Sequence, residues 1–436
     1  MKNKLILVIF LVSSMVLSGC SSSSYDDRVL TDEQWIEDIE TLDNNLREYH
    51  SDVFRFISED EWEKNIESLK SDVNELSDSD IKFRIAQIVS SVGDAHTNMF
   101  PNELVATIPS TIPKGDKTTK IEGLLEFPVK CEYFDDGLRV TETDKRYKDI
   151  LGYRLISING IDVNSVINDI STLIGHDHGN GQKGSGYAKD LMNSYEILSF
   201  FDIVDNNKAE YLFEDDNNEK VKRSLKAVKN ENIDYISGDI KEMKTSVMPD
   251  GESNVYWYKG FEEDNILFFK FNSFVSSAYD DKYPNFHDFI DILIKEMNSD
   301  KYNKLVIDLR DNGGGRSNLV YALIESIKLK SDLGGEDIYL ITGKKTGSAA
   351  VILSYEMQSK MDANIIGEET GGNVNLFTRG AQFELPNSKL KPIISSSPKT
   401  NKEGHSGGVK PDIEIKQNYK DYINGIDTCY EYIKNI

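Results

Sequence analysis

The chain has 436 residues, of which 39% are hydrophobic and 10% aromatic, the composition of a globular protein long enough for two or three packed cores. Its 74 acidic and 50 basic side chains give a formal charge of −24 at pH 7. Such a surface repels nucleic acid and anionic lipid headgroups, so no nucleic-acid partner is expected.

Lys2 and Lys4 precede an apolar run from Leu5 to Val12 that leads into Leu17, Ser18, Gly19 and Cys20. The run is too short to span a bilayer, and small residues before a cysteine suit cleavage followed by lipidation of Cys20. Residues 1–19 thus resemble a bacterial lipoprotein signal, with 20–29 as a polar tether; the competing reading is an ordinary secretory signal with an accidental cysteine. The resemblance implies a protein anchored by lipid on Cys20 to the extracytoplasmic face of a bacterial cell membrane. Cleavage would remove two lysines and no acid, so attachment would depend on acyl chains rather than charge. Cys131 and Cys429 then remain, and two cysteines in so long a chain make no disulfide framework, which leaves their pairing open.

Trp35, Ile36, Ile39, Leu42 and Leu46 recur at helical spacing, as do Trp62, Ile66, Leu69, Val73 and Leu76, and then Ile81, Ile85, Ile88, Val89 and Val92. This predicts a domain of three amphipathic helices over 30–100. Gly93 suits the left-handed residue that ends a helix, which puts Asp94, Ala95 and His96 of the GDAHT segment in a tight exit loop. The region 120–200 turns to short strands, and Ile150 to Val163 (ILGYRLISINGIDV) looks like the closing part of a PDZ domain, whose sheet edge accepts a peptide. A plain hairpin closed by Asn-Gly fits the same residues. Residues 201–260 read as an irregular acidic segment, with strand-like pieces near Glu210 to Phe213. From 261 to 436 apolar strands and helices alternate, which predicts a parallel or mixed sheet flanked by helices.

Two loops leave strand ends in that last region, where open α/β sheets bind ligands. The first is LVIDLRDNGGGRS, Leu305 to Ser317, whose glycines allow close backbone approach and could turn amides toward an oxyanion. A phosphate cradle is the rival, but neither a dinucleotide fingerprint nor a Walker loop fits: Gly343 and Lys344 are followed by Lys345, and Ile338 stands where a glycine is required. The second loop is TGKKTGSAAVILSYEM, Thr342 to Met357, in which Gly347 permits a turn and Ser348 opens a helix. That places a hydroxyl at the positive end of a helix, with the Ala349 amide beside it, although serine is also among the commonest helix caps. A serine nucleophile needs a base. Of six histidines His96 is best placed, whereas His287 falls on a polar helix face, His50 at a helix end, and His176 and His178 flank Asp177 with no third metal ligand nearby.

Together, GDAHT, VIDLRDNGGG, TGSAA, IIGEETGG (Ile365 to Gly372) and GGVKPD (Gly407 to Asp412) resemble, in this order, the tail-specific (C-terminal processing) serine peptidase family that includes the tricorn protease core. The resemblance spans most of residues 30 to 415. It implies an α/β, crotonase-like core behind an N-terminal helical domain, with a possible PDZ-like β segment, that cleaves peptides or proteins by acylation of serine without a metal or organic cofactor. Ser348 matches the nucleophile, and Gly314 and Ala349 match the oxyanion-hole donors, though which of the three glycines donates stays open. Asn373 stands where the processing branch carries its lysine base, so the histidine-using branch is implied, with His96 as base and Glu403 orienting it. Glu403 lies two positions from the aligned place, where His405 stands, and Glu368 and Glu369 are the fallbacks. Two other functions compete: a binding protein for a lipophilic ligand or peptide on the same scaffold, and an acyl-CoA enzyme of crotonase type, which secretion disfavours.

Overall fold

The structure, a computed structural model, describes residues 28–99, 101–105, 125–330 and 332–436. The signal, Cys20 and the tether as far as residue 27 lie outside the described residues. No helix among the described residues is long and apolar enough to cross a membrane.

Three helices open the chain: α1 (Asp32–Tyr49), α2 (Glu59–Asp72) and α3 (Asp78–Ser91). Each starts on a hydroxyl that takes up an otherwise unpaired amide, Thr31 for α1, Ser58 for α2 and Ser77 for α3, and the first and third carry reciprocal capping boxes with Gln34 and Asp80. Trp35, Ile39, Leu42, Trp62 and Ile85 form the buried stripe that the spacing predicts. Gly93 has φ +78° and turns the chain out of α3 into Asp94 and His96.

A seven-stranded antiparallel sheet follows, its main path β1 (Val129–Phe134), β2 (Gly137–Asp144), β3 (Arg154–Ile158), β4 (Lys208–Glu214) and β5 (Lys220–Lys226). Asn159 and Gly160, both at positive φ, turn β3 into the short strand Ile161–Asp162, so ILGYRLISINGIDV forms a hairpin inside this sheet. Helices α4 (Val163–Ser171), α5 (Gln182–Leu191) and α6 (Tyr195–Phe200) link β3 to β4. The expected irregular segment over 201–260 is corrected here: β4 and β5 pair along seven residues. Ala209, Tyr211 and Phe213 alternate inward between exposed Lys208 and Glu210, a period-2 pattern masked in the sequence by the acidic and Asn-rich turns on either side.

The second sheet has six strands in the order β6 (Tyr256–Phe261), β7 (Ile266–Phe271), β8 (Lys304–Asp308), β9 (Ile338–Thr342), β10 (Asn364–Gly367) and β13 (Ile413–Glu414). Only the β6–β7 pair is antiparallel. The core therefore starts at β6, a few residues before the expected boundary. Crossovers that always step to the next strand in one direction stack their helices on one face. Accordingly α7 (Phe286–Met297), α8 (Ser317–Lys330) and α9 (Ala349–Met361) share a core with Leu267, Phe269, Leu305, Ile307 and Leu340. The alternate residues Phe268, Val306, Tyr339 and Ile341 face Tyr430 and Ile433 of the last helix, α10 (Thr428–Asn435).

Between β10 and β13 the chain leaves this sheet as a hairpin, β11 (Leu376–Gln382) and β12 (Ile393–Lys399), which reaches back to the helical domain. Leu385, Leu390 and Ile394 belong to the same apolar cluster as Trp35 and Ile39. The junction also has a polar latch: fully buried Asp38 on α1 accepts the Asn387 and Ser388 amides, each at 2.8 Å. Removing that carboxylate in Asp38→Ala strands one buried and one part-buried amide. We expect a loss of at least about 3 kcal/mol, read as a lower urea midpoint by circular dichroism.

Candidate active site

Ser348 lies in the turn between β9 and α9 and has φ 49° and ψ −118°, a conformation that costs a non-glycine residue about 1–3 kcal/mol. Its carbonyl accepts the first amides of α9 from Val351 and Ile352, yet its side chain makes no capping bond. The hydroxyl is thus withheld from the role that serine most often plays at a helix start. The turn is held from below by the preceding loop. Thr346, fully buried, donates Oγ1 to the Leu309 carbonyl (2.8 Å) and accepts the Gly343 amide (3.0 Å), while the Gly347 amide reaches the Asn312 carbonyl (2.9 Å).

Asn312 organises the glycine loop that faces Ser348. Its side chain is fully buried, donating Nδ2 to the Phe271 carbonyl (2.9 Å) and accepting the Gly314 amide at Oδ1 (2.8 Å). The Gly314 N–H, matched in sequence to an oxyanion donor, is therefore already engaged, because a buried amide oxygen requires a donor. What Gly314 supplies is proximity: its φ is +109°, and a Cβ there would stand 2.5 Å from the Ser348 Cβ and 2.9 Å from the Ala349 nitrogen. Gly313 and Gly315 line the cavity beside Ser348. The Ala349 amide opens α9, where no intrahelical carbonyl is available to it.

His96 arrives at this turn from the other end of the chain, with Nε2 3.0 Å from Ser348 Oγ. Several contacts hold its loop. Asp94 Oδ1 accepts the His96 and Thr97 amides, each at 2.8 Å, and the Ser395 hydroxyl of the β12 arm. Asp94 Oδ2 faces His50 Nε2 at 3.0 Å, and because His50 Nδ1 accepts the Asp52 amide, the proton sits on Nε2 and points at the carboxylate. Burial raises the Asp94 pKa, but the bonds from His50, Ser395 and Thr97 outweigh it and bring it down to about 2. Asp177 holds the residue before His96: Oδ1 accepts the Ala95 amide (2.9 Å) and Oδ2 the Asn373 amide (2.7 Å). Lys183 Nζ donates to the Ala95 carbonyl at 2.6 Å. The arm closes the arrangement through paired bonds between Asn98 and Ile393 (3.2 and 3.0 Å).

Burial, then the charges of Lys183 and Arg379, push the His96 pKa down to about 4 against the opposing effect of Asp94. The imidazole is therefore neutral near pH 7 and able to accept a proton. With Nε2 accepting from Ser348, the ring proton belongs on Nδ1, which is buried without a hydrogen-bond partner. Glu403, the acid expected there, is exposed on the segment before Gly404 and is not brought to the ring. The fallbacks are occupied as well, Glu368 with Lys344 Nζ (3.4 Å) and Glu369 with the Gly408 amide (2.9 Å). His176 Nδ1 donates to the Ile174 carbonyl, and His178 stacks on Phe56. Cys131 and Cys429 are buried and unpaired with each other.

Local pattern assigns no role to Asp94, which stands in GDAHT, or to Asp177, which stands between His176 and His178. A signal was present, since each is an acid within two residues of a loop histidine, but the donors they collect lie up to 301 positions away. Asp94→Asn should lose about 1.5–3 kcal/mol at pH 7. Because the folded pKa of Asp94 lies below the ordinary value, that stabilisation is complete above about pH 3.9 and is lost as pH falls through about 2. Urea unfolding of wild type and variant should accordingly converge toward pH 2. Gly314→Ala should slow reaction at Ser348 at least about 100-fold with the circular dichroism spectrum retained, read by the rate of fluorophosphonate labelling.

No protein-family model and no curated protein matches the sequence. Among solved structures, mature CPAF superimposes with a TM-score of 0.61 at 11% identity, covering 92% of this chain and 96% of that one. Mature CPAF complexed with lactacystin gives 0.59 at 12% identity over 93% and 97%. The tricorn protease gives 0.44 at 14% identity, over 93% of this chain and 36% of its own. Across helical domain, antiparallel sheet and α/β core together, this chain has the fold of mature CPAF.

Proposed function

We propose that the chain is a serine peptidase of the tail-specific type that hydrolyses peptide bonds through an acyl-enzyme on Ser348, with His96 as general base. The observation that carries this reading is the 3.0 Å approach of His96 Nε2 to an uncapped serine hydroxyl on a strained strand-to-helix turn. In the proposed reaction Ser348 Oγ attacks the scissile carbonyl as Nε2 takes its proton, and the same proton passes to the leaving amine. A water then repeats the sequence in reverse to release the acyl group. The carbonyl oxygen gains charge next to the Ala349 amide and the glycine loop, the type of contact whose loss costs about 2.7–4 kcal/mol in kcat.

The imidazolium formed on the way needs negative charge nearby. Asp94, whose charge favours the protonated ring, supplies it in place of Glu403, acting through space while it orders the loop. Lys344 and Lys345 are poor alternative bases, since each already holds a carboxylate, Glu368 at 3.4 Å and Asp190 at 2.7 Å. The order of lysines, apolar run and Cys20 supports placing the enzyme on the outer face of a bacterial membrane by a lipid anchor. In that case Cys20→Ala should move the protein from the membrane fraction to the medium.

Fluorophosphonate should label the wild type and not Ser348→Ala, and His96→Ala should label at least about 100-fold more slowly. A folded protein whose Ser348 never labels would be a binding module instead. Because neutral His96 is required and its pKa lies near 4, kcat/KM should fall only as pH drops through about 4. An acid limb near 6.5, the ordinary imidazole value, would overturn the depression of the His96 pKa.

A further inference from the structure

The cavity beside Ser348, about 320 Å³, runs against the charge of the protein as a whole. In a chain of net charge −24 its wall carries Lys183, Lys344, Lys345 and Arg379 and a single carboxylate, Asp177. That carboxylate spends both oxygens on the Ala95 and Asn373 amides. Lys344 reaches Gln182 Oε1 at 2.6 Å and Glu368, and Lys345 reaches Asp190. Lys183 differs from both. Its Nζ makes one bond, to the Ala95 carbonyl, and among the described residues no carboxylate oxygen lies within 4.0 Å of it.

An ammonium has three hydrogens to donate, so two remain on Lys183. Burial also works against its charge and lowers its pKa to about 8, which still leaves it mainly charged at pH 7. A cation in a partly dry wall without a counter-ion is costly, and the charge can be balanced by an anion that enters the cavity. Attraction of that kind is stronger at a shielded site than in open water. Asp177 and Asp94 contribute field but no contact, because their oxygens face backbone amides, His50 and Ser395.

We infer that this cavity is a carboxylate subsite, in which Lys183 receives an acidic group of the peptide beside the bond attacked by Ser348. The inference deepens the peptidase reading and rests on it for the word peptide. The carboxylate has two possible sources, an Asp or Glu side chain or the free end of the chain, with the same chemistry toward Nζ. A preference for acidic peptides in a protein of this net charge would then be set locally, against long-range repulsion, and would weaken with salt.

The test uses the Ser348→Ala protein, which holds peptides without turning them over, and fluorescein-tagged alanine pentapeptides ending in an amide. Glu, Gln or Lys occupies each position in turn, and a second Gln series ends in a free acid. Fluorescence anisotropy should show about tenfold tighter binding for Glu over Gln at one position, or for the free acid over the amide, which identifies the source. Adding Lys183→Met should abolish the difference, and Lys183→Arg should retain it. Loss of the Ala95 contact alone would weaken all peptides alike and leave the ratio standing. Equal binding of Glu, Gln and free-acid peptides, or a ratio that survives Lys183→Met, overturns the inference. Fluorophosphonate labelling of the wild type reads the other question: no labelling, with the ratio intact, removes the peptidase and keeps the carboxylate site.

Discussion

An imidazole and a hydroxyl separated by 252 residues meet at 3.0 Å, and the site exists only while that distance is kept. Among the described residues no helix or strand ladder spans the junction, so the loops that carry the two groups have backbone amides with no regular partners. Buried carboxylates collect them. Asp94 takes the His96 and Thr97 amides, and Asp177 takes those of Ala95 and Asn373. A carboxylate offers several acceptor positions and forms stronger bonds to N–H than a neutral oxygen does, so one side chain can gather amides from distant segments. Without those bonds the same burial would be strongly unfavourable. The charge and the loop geometry therefore sustain each other.

Ser348 meets the opposite requirement, since its backbone is held where an ordinary residue does not rest. The strain is carried by neutral bonds from Thr346, Asn312 and Gly347 into the end of β8 and the loop after it, each contributing about 1 kcal/mol net. Those bonds suffice because the strands beneath are buried on both faces and cannot shift. Gly314 then allows the facing loop to lie against Ser348 closer than any side chain would permit. Rigid strand ends and permissive glycines together leave the hydroxyl exposed to the cavity.

The hairpin arm gives the helical domain its place in this scheme. It leaves the α/β core after β10, packs Leu385 and Leu390 among the residues of the first helices, and returns through Ser395 to Asp94. A displacement of the helical domain would thus be felt at His96 through both the arm and α3. The fold is shared with mature CPAF over nearly the whole of both chains, although only about one residue in nine is the same.

Much of the architecture was readable from local pattern. Helices α1 to α3, the core strands β7 to β10 and the turn at Ser348 declared themselves because burial on one face imposes a period of 3.6 or 2, and caps and glycines mark the ends. Of β4 only the piece near Glu210 to Phe213 was legible, and its pairing with β5 was not, because lysines and glutamates on the exposed face hide a correct alternation. The candidate nucleophile and base could be named from their motifs. Their supporting acids could not, since Asp94, Asp177 and Ser395 act through backbone and side-chain donors that adjoin only after folding. For the same reason Glu403, near in motif order, stands in solvent, and the Gly314 amide, matched by motif to a donor, is spent on Asn312. Residue order and periodicity constrain neighbours along the chain; which charge meets which amide is decided by packing across it.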